Sequence, residues 1–220
     1  MPHAPTLRPA GRPVETDSGA EVFRQAIAKL QKALAGQVQA RPELTFEEEP
    51  PPRRLAPYAT AVAATVIGPD PYSGEDADIA GGRFVLLFDP AGQPGWDGKY
   101  RVISYVRAEL EPEMAADPLI NAVGWSWLTE SLETSAAGYQ NISGTVTTEV
   151  TQGFGGKEGE PTSTGFELRA SWSPMAGARG DTELEGHLAA WCAAICAAAG
   201  LPPLAPGIAA LRSPTRRRRP

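Results

Sequence analysis

The chain is poor in the residues from which nucleophilic and metal sites are built: 220 residues hold only two cysteines and two histidines. His3 lies in a proline-rich stretch, so a Ser-His-Asp or Cys-His device would have to use His187. Cys192 follows His187 by five residues, away from its helix face, and with Cys196 the three do not converge as zinc ligands. Cysteines four apart in an alanine-rich helical segment suit a disulfide poorly, which implies a reducing, cytoplasmic setting and small core residues. Long apolar runs are also missing. From Gly186 to Leu211 no charge occurs, but "GLPPLAPG" interrupts the run and leaves about 14 apolar residues, short of the roughly 20 a membrane span needs. "MPHAPTLRPAGRP" has no apolar h-region, so no signal peptide is expected. A phosphate loop is absent too, because Gly156-Lys157 would need glycine at 151 and Ser or Thr at 158, where the chain has Thr151 and Glu158.

Charge is present but uneven. The net value of −6 includes five arginines in the last nine residues, "RSPTRRRRP"; the 211 residues before them carry 15 basic and 26 acidic side chains. Such a body repels nucleic-acid phosphates. The single route to nucleic acid is the tail, through Arg216, Arg217, Arg218 and Arg219.

Hydrophobic periodicity gives the element order. Residues 1–18 read as disordered, 19–211 as one α+β domain and 212–220 as a disordered tail. "SGAEVFRQAIAKLQKALAG" is an amphipathic helix with Val22, Phe23, Ala26, Ile27, Leu30 and Leu34 on one side, Ser18 as cap and Gly36 as stop. "ELTFEEEPPPRR" holds a short edge strand, and "YATAVAATVIG" a second one. "GPDPYSGEDADIAGG" reads as a long acidic loop, "GRFVLLFDP" as a central strand, and "KYRVISYVRAEL" as its hairpin partner. "DPLINAVGWSWLTESLETSAAG" changes to helical period, with Ile120, Val123, Trp127, Leu128 and Leu132 on its apolar face. Two more strands and a last helix ending at Gly200 complete the order α-βββ-α-ββ-α, an antiparallel sheet of five or six strands with three main helices.

The chemistry-bearing candidates cluster in "YVRAELEPEMAADPLINAVGWSWL". Its carboxylates are Glu109, Glu111, Glu113 and Asp117. Pro112 and Pro118 at successive helix starts account for Glu113 and Asp117, where acids meet the positive ends of helices. Glu109 and Glu111 remain, beside Arg107; if the strand runs on, all three share one face and could work as an acid–base pair or hold a divalent cation. Of the five tryptophans, Trp127 and Trp191 fall on apolar helix faces. Trp125 sits about 200° from Trp127 around a helix, so the two cannot both face the same core, and one is expected to be exposed, to start the helix or to meet a partner.

Together "GRFVLLFDP", "WDGKYRVISYVRAELEPEMAADPLINAVGWSWLTESLE", "GYQNISGTV", "FELRASWSP" and "HLAAWCAAICAAAGLPPL" resemble an uncharacterised actinobacterial family, the domain-of-unknown-function 3000 family, from roughly Phe23 to Leu211. The acidic segment Asp70–Asp78 and the arginine tail look peculiar to this member. The resemblance implies no assigned activity, no cofactor and no established site residue. Through genes lying near that of a D-type ribonuclease it also implies RNA metabolism as one setting. The element order further resembles the type III secretion chaperone fold, which implies a homodimer built on the middle helix Asp117–Ala137 and a sheet surface for extended partner segments. The expectation is a non-catalytic cytoplasmic binding or adaptor protein acting through Arg107, Glu109, Glu111, Trp125 and Trp127. The alternatives are a metal-assisted hydrolase using Glu109 and Glu111, and an accessory factor in RNA metabolism.

Overall fold

A computed structural model of the chain describes residues 4–9, 18–69, 75–135, 138–176 and 182–203. The arginine tail lies outside them. The elements are α1 (Ser18–Ala40), β1 (Leu44–Glu49), β2 (Tyr58–Pro69), β3 (Asp76–Phe88), β4 (Tyr100–Glu109), α2 (Pro112–Ala115), α3 (Ile120–Ser135), β5 (Tyr139–Thr151), β6 (Ser163–Pro174) and α4 (Leu184–Ala198). One six-stranded antiparallel sheet runs in the order β1-β2-β3-β4-β6-β5. Only β5 is out of sequence order, because the α2–α3 crossover carries the chain past the β6 position to the far edge.

The period-2 alternation of the strands sorts their side chains onto two unlike faces. Val62, Phe84, Val102, Val106, Leu168 and Trp172 point to one side and join Phe23, Leu30, Leu128, Leu132, Leu188 and Trp191 of the helices in the main core. On the other side a small apolar cluster, Ala59, Ala61, Val85 and Leu87, packs with Ala56, Trp96 and Ile103 and includes no helix residue. Residues 50–57 and 89–99 lie over this end, tied together where Gln93 Nε2 donates to the Leu55 carbonyl at 3.0 Å. Among the described residues, the rest of that face carries no helix.

Several expectations are corrected. α1 does not stop at Gly36 but continues to Ala40, where Pro42 follows. One helical glycine costs only about 1 kcal/mol, and Val38 beyond it still packs on the core. A Cβ at Gly36 would meet nothing within 4 Å. Gly36→Ala is therefore expected to raise the unfolding free energy by roughly 0.5–1 kcal/mol in urea denaturation; a lower midpoint would sink this. The acidic loop is shorter than expected, since Asp76, Ala77 and Asp78 pair with Pro69, Gly68 and Ile67 as the start of β3. Cross-strand hydrogen bonding outweighs the turn-forming preference of these residues. Val22 and Val123 are exposed, so the apolar stripes of α1 and α3 are narrower than the sequence suggests. Finally, the N-terminal stretch read as disordered contains a docked piece: Leu7 is 4% exposed in the main core and Arg8 pairs with Glu48 at 3.9 Å.

α4 closes as the sequence implies. The Leu201 N–H donates to the Cys196 carbonyl and the Gly200 N–H to the Ala197 carbonyl, with Gly200 at φ +71, the Schellman arrangement.

Candidate functional site

Register across the sheet defines the site on the helix-free face. One row runs Thr45, Thr65, Gly81, Arg107, Glu167, Thr147; the next runs Glu47, Ala63, Arg83, Tyr105, Arg169, Thr145. Tyr105 thus lies between two arginines on the flanking strands, with Arg107 one step along its own strand and Arg101 two steps the other way. A shallow depression of about 560 Å³ opens here, lined by Arg83, Ile103, Tyr105, Ser143, Thr145, Arg169 and Ser171.

Glu167 organises the centre. It accepts the Tyr105 hydroxyl at 2.8 Å and Arg169 Nη2 at 2.7 Å, and the Arg169 guanidinium stands 5.7 Å from the Tyr105 ring centroid. Burial, then the Glu167 hydrogen bond, push the Tyr105 phenol above its ordinary value. Glu167 opposes Arg107 in register. Its hydrogen bonds, however, go to Tyr105 and Arg169, while Arg107 Nε lies 3.9 Å from where a Gly81 Cβ would be. Arg107 is exposed and has no ion pair among the described residues. Arg101 donates only to neutral acceptors, the Asn141 carbonyl, Ser173 Oγ and Ser171 Oγ, at 2.7–3.2 Å, and burial lowers its pKa. Arg83 reaches the Pro50 carbonyl and stands 3.7 Å from Glu49. The face carries both signs: Arg83, Arg107 and Arg169 gather about Tyr105, while Glu47, Glu49, Glu109 and Glu149 lie toward its margins and Glu167 at its centre.

The sequence-predicted residues separate. Arg107 and Glu109 lie on this face, but β4 ends at Glu109, and Glu111 becomes the residue before α2, whose first position is Pro112. Leu110 between them is buried and hydrogen-bonds to Thr164, which turns the chain out of the strand. Glu109 and Glu111 are both exposed and belong to different elements, so they do not share the strand face on which a paired role would depend. Glu113 falls in the first turn of α2, and Asp117 Oδ1 accepts the Leu119 N–H at 2.8 Å, the helix-start roles expected of them.

The tryptophans overturn the view that only one faces the core. Both are half-buried and pack against the same cluster. They straddle the buried line Gly124–Leu128: Trp127 lies 5.3 Å from the Phe166 ring, and Cζ3 of Trp125 would be 2.7 Å from a Cβ on Gly144. Two large rings about 200° apart can both reach the sheet because Gly124 brings the helix axis close to it.

His187 and the cysteines belong to the core. His187 Nδ1 accepts the Trp172 indole N–H at 3.1 Å, and both cysteine thiols are buried, that of Cys196 pushed up to about 11 by burial. Among the described residues no three His, Cys, Asp or Glu side chains gather as metal ligands, and no helix is long and apolar enough to cross a membrane. Sequence reading missed Tyr105, Arg83, Arg101 and Arg169. The signal available was the period-2 placement of Arg101, Tyr105 and Arg107 in "YRVISYVR".

The class of protein so defined is an α+β fold with one open antiparallel sheet, helices on one face and an arginine–tyrosine surface on the other. The chain belongs to the family described as Protein of unknown function (DUF3000), whose profile matches residues 19–209. No curated protein and no solved structure matches it.

Proposed function

We infer that the protein is a non-catalytic cytoplasmic binding or adaptor module, working as a homodimer, that holds an extended, carboxylate-bearing segment of a partner protein against its helix-free sheet face. The observation that supports this reading is the set of arginines around Tyr105, of which Arg101 and Arg107 have no carboxylate partner among the described residues. A flat, hydroxyl-lined surface fits an extended chain better than a small substrate, which is normally enclosed. The acidic body disfavours a polyanion such as nucleic acid and tolerates a short acidic segment.

The test uses the tagged full-length chain as bait, with Arg107→Gln/Arg169→Gln as the comparison. A partner whose cross-links map to β4 and β6, and whose affinity falls about tenfold or more in the double variant at unchanged melting temperature, supports the reading. A partner held equally well by the variant overturns it.

A further inference from the structure

The two edges of the sheet are treated differently. β1 is six residues long, carries Glu47, Glu48 and Glu49, and runs into three prolines; the docked N-terminal piece adds the Arg8–Glu48 pair beside it. Shortness, charge and proline are the usual guards against pairing with another chain. β5 is neither short nor proline-bearing, and its single charge is Glu149. It is 13 residues long, regular from Ser143 to Thr151 after a bulge, and that stretch, "SGTVTTEVT", has one charged residue and no proline. Among the described residues no strand pairs with its outer edge.

We propose that β5 is the dimer interface of this protein, pairing antiparallel with β5 of a second copy about a two-fold axis at Thr147 to make one continuous sheet. This rests on the homodimer in the reading above and assigns it to β5 instead of to the middle helix. Self-pairing is favoured because the segment is complementary to itself. An axis at Thr147 uses the whole regular stretch: Ser143 meets Thr151, Gly144 meets Val150, Thr145 meets Glu149 and Val146 meets Thr148, each with the residue of the second copy. Every pair joins residues of one face, as strand alternation requires.

Two features that the isolated chain leaves unexplained are then accounted for. Val150, 65% exposed, is an apolar side chain on the helix side of an edge strand. In the dimer it lies opposite Gly144 of the second copy, whose helix side is covered by the half-buried Trp125 ring. Val150 and Trp125 thereby shield each other across the axis, twice by symmetry. On the other face the lone acid of the stretch, Glu149, lies opposite Thr145 of the second copy and one strand from its Arg169, the register neighbour of Thr145. No like charges are opposed. The pairing also sets the two Tyr105 faces side by side on one surface.

The experiment is sedimentation of the full-length chain with charge-swapped variants. Thr147 is exposed, so a charge there is tolerated by the single chain. Wild type is expected to be a dimer. Thr147→Glu and Thr147→Lys, each opposing like charges at the axis, are expected to weaken it about tenfold or more, and mixing the two should restore a heterodimer. Directly opposite residues lie about 4.5–5.5 Å apart at Cα, within disulfide range, so Thr147→Cys should cross-link on mild oxidation and Thr145→Cys should not. A monomeric wild type overturns both the interface and the dimer in the reading above. A dimer that survives Thr147→Glu, or that Thr147→Cys fails to cross-link, overturns the interface alone. Binding of a partner at Arg107 and Arg169 is measured separately and is unaffected by either outcome.

Discussion

Gly82→Ala is expected to lower the unfolding free energy by about 3 kcal/mol, although it adds a single methyl group. The position faces the helices, and a Cβ there would fall inside van der Waals contact of the Tyr105 carbonyl oxygen, 2.9 Å from Ile195 Cδ1 and 3.1 Å from Trp191 Nε1. The isoleucine methyl can turn away. The carbonyl cannot, because it belongs to the backbone of β4, which pairs with β3 along this stretch. It also accepts the Trp191 indole N–H at 3.2 Å, so the methyl group would enter the space that this hydrogen bond occupies. Trp191 is fully buried, with Phe84 5.6 Å away, and moving it would leave a buried N–H without an acceptor as well as a packing defect. Equilibrium urea denaturation checks this: a midpoint equal to wild type would show that β3 and β4 separate easily at Gly82. The same substitution should disturb the opposite face, since the strained backbone is that of Tyr105, whose hydroxyl is bonded to Glu167.

Why such positions escape a reading of the sequence is clear from particular residues. The continuous apolar run in "RFVLLF", the alternation in "YRVISYV" and the 3-and-4 spacing of Phe23, Ala26, Leu30 and Leu34 are local properties, and they locate β3, β4 and α1, though not the start of β3 or the end of α1. Whatever depends on pairing partners is not local. Arg83 and Arg169 meet at Tyr105 only because β6, not β5, lies beside β4, and no periodicity states that order. Asp76 and Asp78 look like loop residues until their partners in β2 are known. The two tryptophans of α3 look incompatible on a helical wheel, yet Gly124 lets the helix approach the Phe166 ring closely enough for both to reach the sheet. Glu111 fails in the opposite way: the strand alternation that grouped it with Arg107 and Glu109 ends two residues too early. The composition of an edge, in contrast, is legible without a fold, and "SGTVTTEVT" beside "TFEEEPPP" already distinguishes an unguarded edge from a guarded one.

His187 is expected to make the protein acid-sensitive in a defined window. The ring is buried, Nδ1 accepts the Trp172 N–H, and Nε2 therefore carries the proton of the neutral form with no partner among the described residues. Burial disfavours the imidazolium and lowers the pKa to about 4, whereas an unfolded chain would protonate near 6.5. The folded pKa is the lower one, so the stability is fully present above 6.5 and is lost as pH falls toward 4, the unfolded state binding the extra proton. At pH 4.5 the loss is roughly 2.5 kcal/mol, equivalent to roughly 5–10 °C in Tm for a domain of this size. Protonation would also remove the acceptor of the Trp172 N–H, because both nitrogens of the charged ring are donors. His187→Asn keeps an acceptor in reach of Trp172 and does not titrate. Thermal melts of both proteins from pH 7.5 to 4.5 separate this group from the carboxylates: the wild type should lose more stability than the variant across that range. Parallel profiles would mean that His187 is free to protonate where it stands, and that the α4–β6 contact it makes with Trp172 is open to water.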